Sequence, residues 1–399
     1  MQFSSKVRQC QLSPMRKFHP YALKAEARGM KIHHLNIGQP DIPTPPAFFD
    51  AVHSYRSEVL AYAPSPGVPA YVEAVQRYYQ RIGAPLAEGD ILATSGGSEA
   101  LQMAMSCILD EGDEILIPEP FYTNYNTFVH VAGGRIRPIH SSPEEGYHYA
   151  ERGRIEPLIT ERTRAILVTN PGNPTGTVLT PEEMNVIADI AKEHGLFLVA
   201  DEVYREFVYG GEPLSTFLTI PGLEENLIVV DSVSKRFSAC GARVGALISR
   251  NPEFIAQAMK LCQGRLCSAT LDQLGAAALY SVDPDYFTAT RDEYRRRRNA
   301  CVEGLHKIPG VVCGEPKGAF YLMAKLPVDD ADKFQTWLLE EFEDQGETLM
   351  FAPGEGFYAT PGKGKDEIRI AYVLNEADIR RSMELLGIAI ARYQKEKMA

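Results

Sequence analysis

Through the middle of the chain, short apolar runs alternate with longer stretches in which apolar residues recur every three or four positions. DEILIP (113–118), AILVTN (165–170), LFLVAD (196–201), LIVVDS (227–232) and GALISR (245–250) have strand length and are continuously apolar rather than alternating. Such runs are expected of strands buried on both faces, and their separation by amphipathic stretches predicts parallel strands joined by helical crossovers. TPEEMNVIADIAKEHG (180–195) predicts one crossover helix with its signals in place: Thr180 as N-cap, Pro181 in the first turn, Glu183 to complete a capping box and Gly195 as the stop.

The ends of the chain read differently. Residues 12–46 predict one helix followed by a Pro-rich loop, and from about 285 onward long helices mix with short strands such as GAFYLMAKL (318–326) and EIRIAYVL (367–374). The expected architecture is α/β: a large domain over 46–284 with a mostly parallel central sheet covered by helices, and a smaller α+β domain formed by 1–45 and 285–399.

Composition narrows the function. With 399 residues and 45% hydrophobic content the chain can bury a large core, and a net charge of −11 with both signs interspersed offers no field to collect nucleic acid. The basic run Arg295–Arg298, in a stretch of helical spacing, reads as a solvated helix face. Seven cysteines without a CxxC pair or histidines at ligand spacing argue against a metal site and fit a reducing cytoplasm. No signal-peptide pattern or membrane-length apolar run is present, so a membrane location is not expected.

In an open parallel sheet, ligands bind beyond the carboxyl ends of the strands, which makes the last residue of each run informative. AILVTN leads into PGNPTG, LFLVAD ends at Asp201, and LIVVDS ends at Ser232, three residues before Lys235. An amide-rich turn, a carboxylate and an amine are thus expected in one crevice. Gly96 and Gly97 precede an amphipathic helix and form a candidate phosphate cradle, although a Gly-Gly turn with Ser98 as helix cap accounts for the same residues. Ser232 can donate a hydroxyl and Arg243 a two-pronged guanidinium to the same phosphate. A lysine near a carboxylate and a phosphate site suits pyridoxal phosphate, whose aldehyde bonds an amine and whose ring nitrogen needs an acidic partner. Read without that chemistry, Lys235 and Arg236 make an ordinary basic surface turn, and Asp201 a strand-end cap.

NPGNPTG (170–176), DEVY (201–204), SVSKRFSACGAR (232–243) and IRIAYV (368–373), with NIGQPDIPTP (36–45) and YAPSPGVPAYVEAV (62–75), resemble the ordered signatures of class I/II pyridoxal-phosphate aminotransferases of fold type I, in the style of bacterial aspartate aminotransferases. The likeness runs from about residue 13 to the C-terminus. It implies that Lys235 bonds the cofactor and then moves the substrate proton, Asp201 pairs with the ring nitrogen, and Asn173 and Tyr204 bond the ring oxygen. It further implies that Gly97, Ser98, Ser232 and Arg243 hold the phosphate, Tyr122 stacks on the ring, and Arg369 clamps the substrate carboxylate beside Gly38. Aromatic core packing is the alternative for Tyr122, and Asn170 only braces its turn. Tyr62 is implied to reach the phosphate of a neighbouring subunit, hence a homodimer.

The resemblance also implies a ping-pong exchange between an amino acid and an oxo acid, with aspartate and 2-oxoglutarate as the expected pair. Ala242 stands where many relatives have an aromatic residue, and Ser98 where some have a lysine, so substrate choice is left open toward aromatic or other neutral amino acids. A lyase or decarboxylase, or a non-catalytic phosphate binder, is the further alternative. Arg16, Lys17 and Arg265 are candidates for a distal substrate carboxylate, and Arg236 has no expected part in the chemistry.

Overall fold

The computed structural model describes residues 1–210 and 214–397. Its strands in chain order are β1 (Lys31–His34), β2 (Ile91–Thr94), β3 (Glu114–Glu119), β4 (Arg135–His140), β5 (Thr163–Thr169), β6 (Phe197–Asp201), β7 (Leu227–Ser232), β8 (Gly245–Ile248), β9 (Val312–Cys313), β10 (Tyr321–Lys325), β11 (Glu347–Met350), β12 (Ala352–Pro353) and β13 (Glu367–Ala371). The main sheet has seven strands in the order β2-β8-β7-β6-β5-β3-β4. Strands β3 to β7 pair in parallel, as expected from the apolar runs at β3, β5, β6 and β7; β4, RIRPIH, has no such run. The expectation fails at GALISR: β8 is antiparallel to both β7 and β2. The twelve-residue connection from β7 to β8 holds only the short helical turns Val233–Arg236 and Cys240–Ala242 and no crossover helix, so the chain turns back beside β7 and leaves the Lys235 loop at its carboxyl end.

Side-chain alternation assigns the two faces of this sheet. Val199 of β6 and Ile228 and Val230 of β7 pack in one core with residues of the helices Gly97–Ile108 and Pro252–Arg265. Leu198, Ala200, Leu227 and Val229 pack on the other face with the helices Pro69–Arg81 and Pro181–Glu193. The second of these is the helix expected from TPEEMNVIADIAKEHG, with Thr180 accepting from the Glu183 amide in a capping box.

Both chain ends meet in smaller sheets. β1 pairs in parallel with β11, and β12, β13, β10 and β9 form an antiparallel sheet. The helices Asp285–Leu305 and Glu376–Lys397 each contribute to the core built on these strands. The run Arg295–Arg298 corrects the solvated-face reading. Arg295 and Arg296 pair with Asp292 and Glu293 at the surface, but Arg297 is buried against Asp41 (2.6 Å) and Arg298 against Glu315 (2.7 Å). Helical periodicity turns two of four consecutive residues inward, where long side chains reach partners from other elements. Among the described residues no helix is long and apolar enough to cross a membrane, and no cluster of potential metal ligands occurs.

Candidate active site

A cavity of about 630 Å³ opens at the carboxyl ends of β5, β6 and β7 and is roofed by residues of both chain ends. Its lining brings together Gly38, Gly97, Ser98, Tyr122, Asn173, Asp201, Tyr204, Ser232, Lys235, Arg243 and Arg369, every residue to which the resemblance gave a role in holding cofactor or substrate except Tyr62. Tyr62 stands apart, 79% exposed, next to the exposed Val59 and Leu60.

Asp201, the last residue of β6, is buried, and its Oδ2 accepts a 2.7 Å hydrogen bond from the Tyr125 hydroxyl. Burial raises its carboxyl from 3.8 to about 6, against the lowering effect of that bond. The Tyr125 hydroxyl also lies 2.6 Å from Thr169 Oγ1, so β5 and β6 share one polar anchor. Lys235 sits in the short helix Val233–Arg236, and its Nζ donates to the Gly38 carbonyl at 2.8 Å.

The end of the cavity expected to take a phosphate is built around a helix N-terminus. Gly96, at φ +79°, is the N-cap of the helix 97–108, which corrects the reading of Ser98 as cap. The first-turn amides, including those of Gly97 and Ser98, have no acceptor within the helix and carry partial positive charge. A Cβ on Gly96 would meet the Arg243 guanidinium nitrogen at 2.5 Å, and one on Gly245 would meet the Gly97 nitrogen at 2.9 Å. Glycine is therefore required for the arginine and the helix terminus to approach one another. Ser232 Oγ accepts from the Ser234 amide at 3.1 Å and thereby caps the Lys235 helix.

At the opposite end, Arg369 reaches in from β13. It donates to Asn173 Oδ1 at 3.2 Å and to the Asn36 carbonyl at 2.6 Å, while its buried Nε has no partner among the described residues. Burial holds the guanidinium below its ordinary range. Asn173 Nδ2 donates to the Tyr204 hydroxyl at 3.4 Å, and that hydroxyl lies 3.0 Å from the Tyr321 hydroxyl. Tyr122 packs edge-on against Tyr125, its hydroxyl accepting from Asn124 Nδ2 at 2.7 Å, and burial pushes it up to about 12. Asn170 braces its turn, its Oδ1 accepting from the Leu179 amide at 3.0 Å.

Sequence reading missed Tyr125, Thr169, Ser234, Cys240 and Tyr321, all of which line the cavity. Thr169 ends β5 and obeys the same strand-end rule as Asp201, so it was findable; Tyr321 lies in a buried antiparallel strand with no local signal. Of the three candidate distal cations only Arg16 lines the cavity. Lys17 is paired with Asp332, and Arg265 is held by Glu99 and by the Ala93 carbonyl.

The comparisons agree with this geometry. Residues 31–386 match the family aminotransferase class I and II. The aspartate aminotransferase of Geobacillus stearothermophilus is 30% identical over 387 residues, covering 94% of this chain and 93% of that one. Among solved structures, the aspartate aminotransferase from Thermus thermophilus with maleate has a TM-score of 0.88 at 27% identity, covering 98% of this chain and 100% of that one. An alanine aminotransferase from Pyrococcus furiosus has a TM-score of 0.89 at 28% identity with the same coverage. With these matches and this fold, the chain belongs to the class I and II aminotransferases, a pyridoxal-phosphate-dependent family of fold type I.

Proposed function

We propose that the cavity holds pyridoxal 5'-phosphate and that the enzyme transfers amino groups from aspartate to 2-oxoglutarate in two half-reactions. Overall likeness does not choose the donor, since relatives named for aspartate and for alanine fit the fold equally well. The charge inventory of the cavity carries the reading. Four cations line it, Arg16, Lys235, Arg243 and Arg369, against one carboxylate, Asp201.

The residues fit the cofactor. Asp201 is a buried carboxylate with no cationic partner among the described residues, suited to a protonated ring nitrogen. Arg243, Ser232 and the first-turn amides of the helix 97–108 suit a phosphate, Asn173 and Tyr204 a phenolic oxygen, and Tyr122 a ring face. Bound pyridoxal phosphate supplies the electron sink that acidifies the Cα–H of an attached amino acid. Lys235 bonds the cofactor between turnovers and, once displaced, carries the proton to and from Cα. Arg369, whose Nε is unpartnered, takes the substrate α-carboxylate beside Gly38 and so orients Cα.

Arg16 is then the cation left over. No side-chain partner for it is found among the described residues, and a second substrate carboxylate suits it. The cavity walls also include Leu12, Met15, Ile37 and Leu101, which would favour a neutral donor if Arg16 plays no part. An amino-donor panel assayed with 2-oxoglutarate decides: kcat/KM for aspartate about tenfold or more above alanine and phenylalanine supports the reading, and the reverse order overturns it. We further propose that Tyr62, exposed among apolar neighbours, completes the phosphate site of a second copy, making the active unit a homodimer.

A further inference from the structure

A set of charged side chains lies directly behind the cavity, on the opposite face of the same strands. Alternation along β7 turns Ser232 toward the cavity and Asp231 toward the helix 69–81, and at the end of β6 it separates Asp201 from Glu202 in the same way. Asp231 receives Arg236 at 2.7 and 2.9 Å, the Tyr79 hydroxyl at 3.0 Å and the Ser232 amide at 2.7 Å. Arg205 donates to Tyr79 at 2.6 Å and to Glu202 at 2.7 and 3.0 Å, and lies 3.8 Å from Asp231. None of the four charged side chains is more than 1% exposed. The Arg236 guanidinium lies 4.1 Å over the Tyr78 ring.

Four pairs of near neighbours in the chain straddle the sheet in this way: Asp201 with Glu202, Tyr204 with Arg205, Ser232 with Asp231, and Lys235 with Arg236. In each pair the first residue lines the cavity and the second belongs to the cluster. We propose that Glu202, Arg205, Asp231 and Arg236 form a positioning network that locks the Lys235 turn onto the strand end bearing Asp201, so that amine and carboxylate keep a fixed spacing across the cofactor. Two charges of each sign, desolvated and mutually hydrogen-bonded, tolerate little relative movement, because separating any pair leaves a buried charge uncompensated. A misplacement near 1 Å at a reacting centre costs roughly a hundredfold in rate, which is the scale such rigidity protects.

The inference rests on the cofactor assignment above, and its test separates the two. In the holoenzyme, the visible band of the lysine-bound cofactor and its pH midpoint are recorded together with kcat, KM and Tm. Asp231→Asn combined with Arg236→Met removes one charge of each sign and keeps the cluster neutral; Tyr79→Phe removes one hydroxyl and no charge. Expected are a fall in kcat of about tenfold for the double variant and about threefold for Tyr79→Phe, donor KM changed less than about threefold, and a band midpoint moved by about half a pH unit or more. Arg298→Met, which removes a buried guanidinium paired with a half-exposed Glu315, neither of them lining the cavity, is expected to lower Tm and leave kcat and the midpoint alone. Variants of the cluster that keep wild-type kcat and midpoint whatever their Tm overturn the proposal, and Tyr79→Phe decides alone if the double variant does not fold. A wild-type protein without the visible band overturns the cofactor assignment instead.

Discussion

The Tyr125 hydroxyl donates a 2.7 Å hydrogen bond to Asp201, and burial of the same carboxylate raises it to about 6. The two effects oppose each other: burial favours the neutral acid, and the phenol keeps it an acceptor. Tyr125→Phe removes the effect that favours the ionised form. A hydrogen bond to a charged group contributes about 1.5–3 kcal/mol, so cofactor Kd is expected to rise roughly ten- to a hundredfold, measured by equilibrium dialysis.

Asp201→Asn is expected to act in opposite directions with and without cofactor. A carboxyl whose pKa is raised on folding adds stability below its unfolded value near 3.8, and that contribution is lost as pH rises through about 6. Above that range the ionised buried carboxylate costs up to about 3 kcal/mol. The cofactor-free variant should therefore unfold at higher denaturant concentration than wild type at about pH 8 and at the same concentration near pH 4. Cofactor should stabilise wild type and fail to stabilise the variant.

Lys235 and Arg236 are adjacent and equally charged, yet the structure separates their roles. Lys235→Ala should abolish transamination and leave the fold intact. Arg236 is not part of a solvated turn; it is fully buried on Asp231. Arg236→Ala takes away the cation hydrogen-bonded to that carboxylate, leaving Arg205 at 3.8 Å, and should cost about 3 kcal/mol in urea unfolding.

Gly96→Ala places a methyl group against Arg243 at a backbone φ of +79°. The guanidinium must move away from the helix terminus. Affinity for inorganic phosphate and for the cofactor should fall together, roughly tenfold, read by calorimetry; loss of cofactor binding alone would place the phosphate elsewhere.

Arg16→Gln tests the distal cation. The ratio of kcat/KM for aspartate to that for alanine should fall about tenfold or more, since a charge-assisted pair contributes about 1.5–3 kcal/mol. An unchanged ratio would return Arg16 to ordinary surface charge.

Much of the site could be read from the chain because its residues cluster at strand ends, and strand ends follow from local pattern. Continuous apolar runs located β5, β6 and β7, and the last residues of two of them led to Asp201 and Ser232 without any knowledge of packing; at β5 the run reads one residue too far, to Asn170, and passes over Thr169. The glycines before the helix 97–108 and the N-cap at Thr180 were equally local, being demands of backbone geometry.

Tertiary structure alone decided what depends on juxtaposition. The antiparallel pairing of β8 with β2, the hydrogen bond from Tyr125 to Asp201, and the contact of Tyr321 with Tyr204 join elements far apart in sequence. Charged residues divided most sharply. Arg16 and Arg265 are the same residue type, and Lys235 and Arg236 are adjacent and equally charged, yet each ends in a different setting, because the environment of a long cationic side chain is set by which opposite charges the folded chain brings within reach. Alternation at the ends of two strands sent Asp201 and Ser232 to the cavity and Glu202 and Asp231 to a buried ion cluster, and the turns that follow divided Tyr204 from Arg205 and Lys235 from Arg236 in the same way; the sequence became legible on that point only once both faces of the sheet were known.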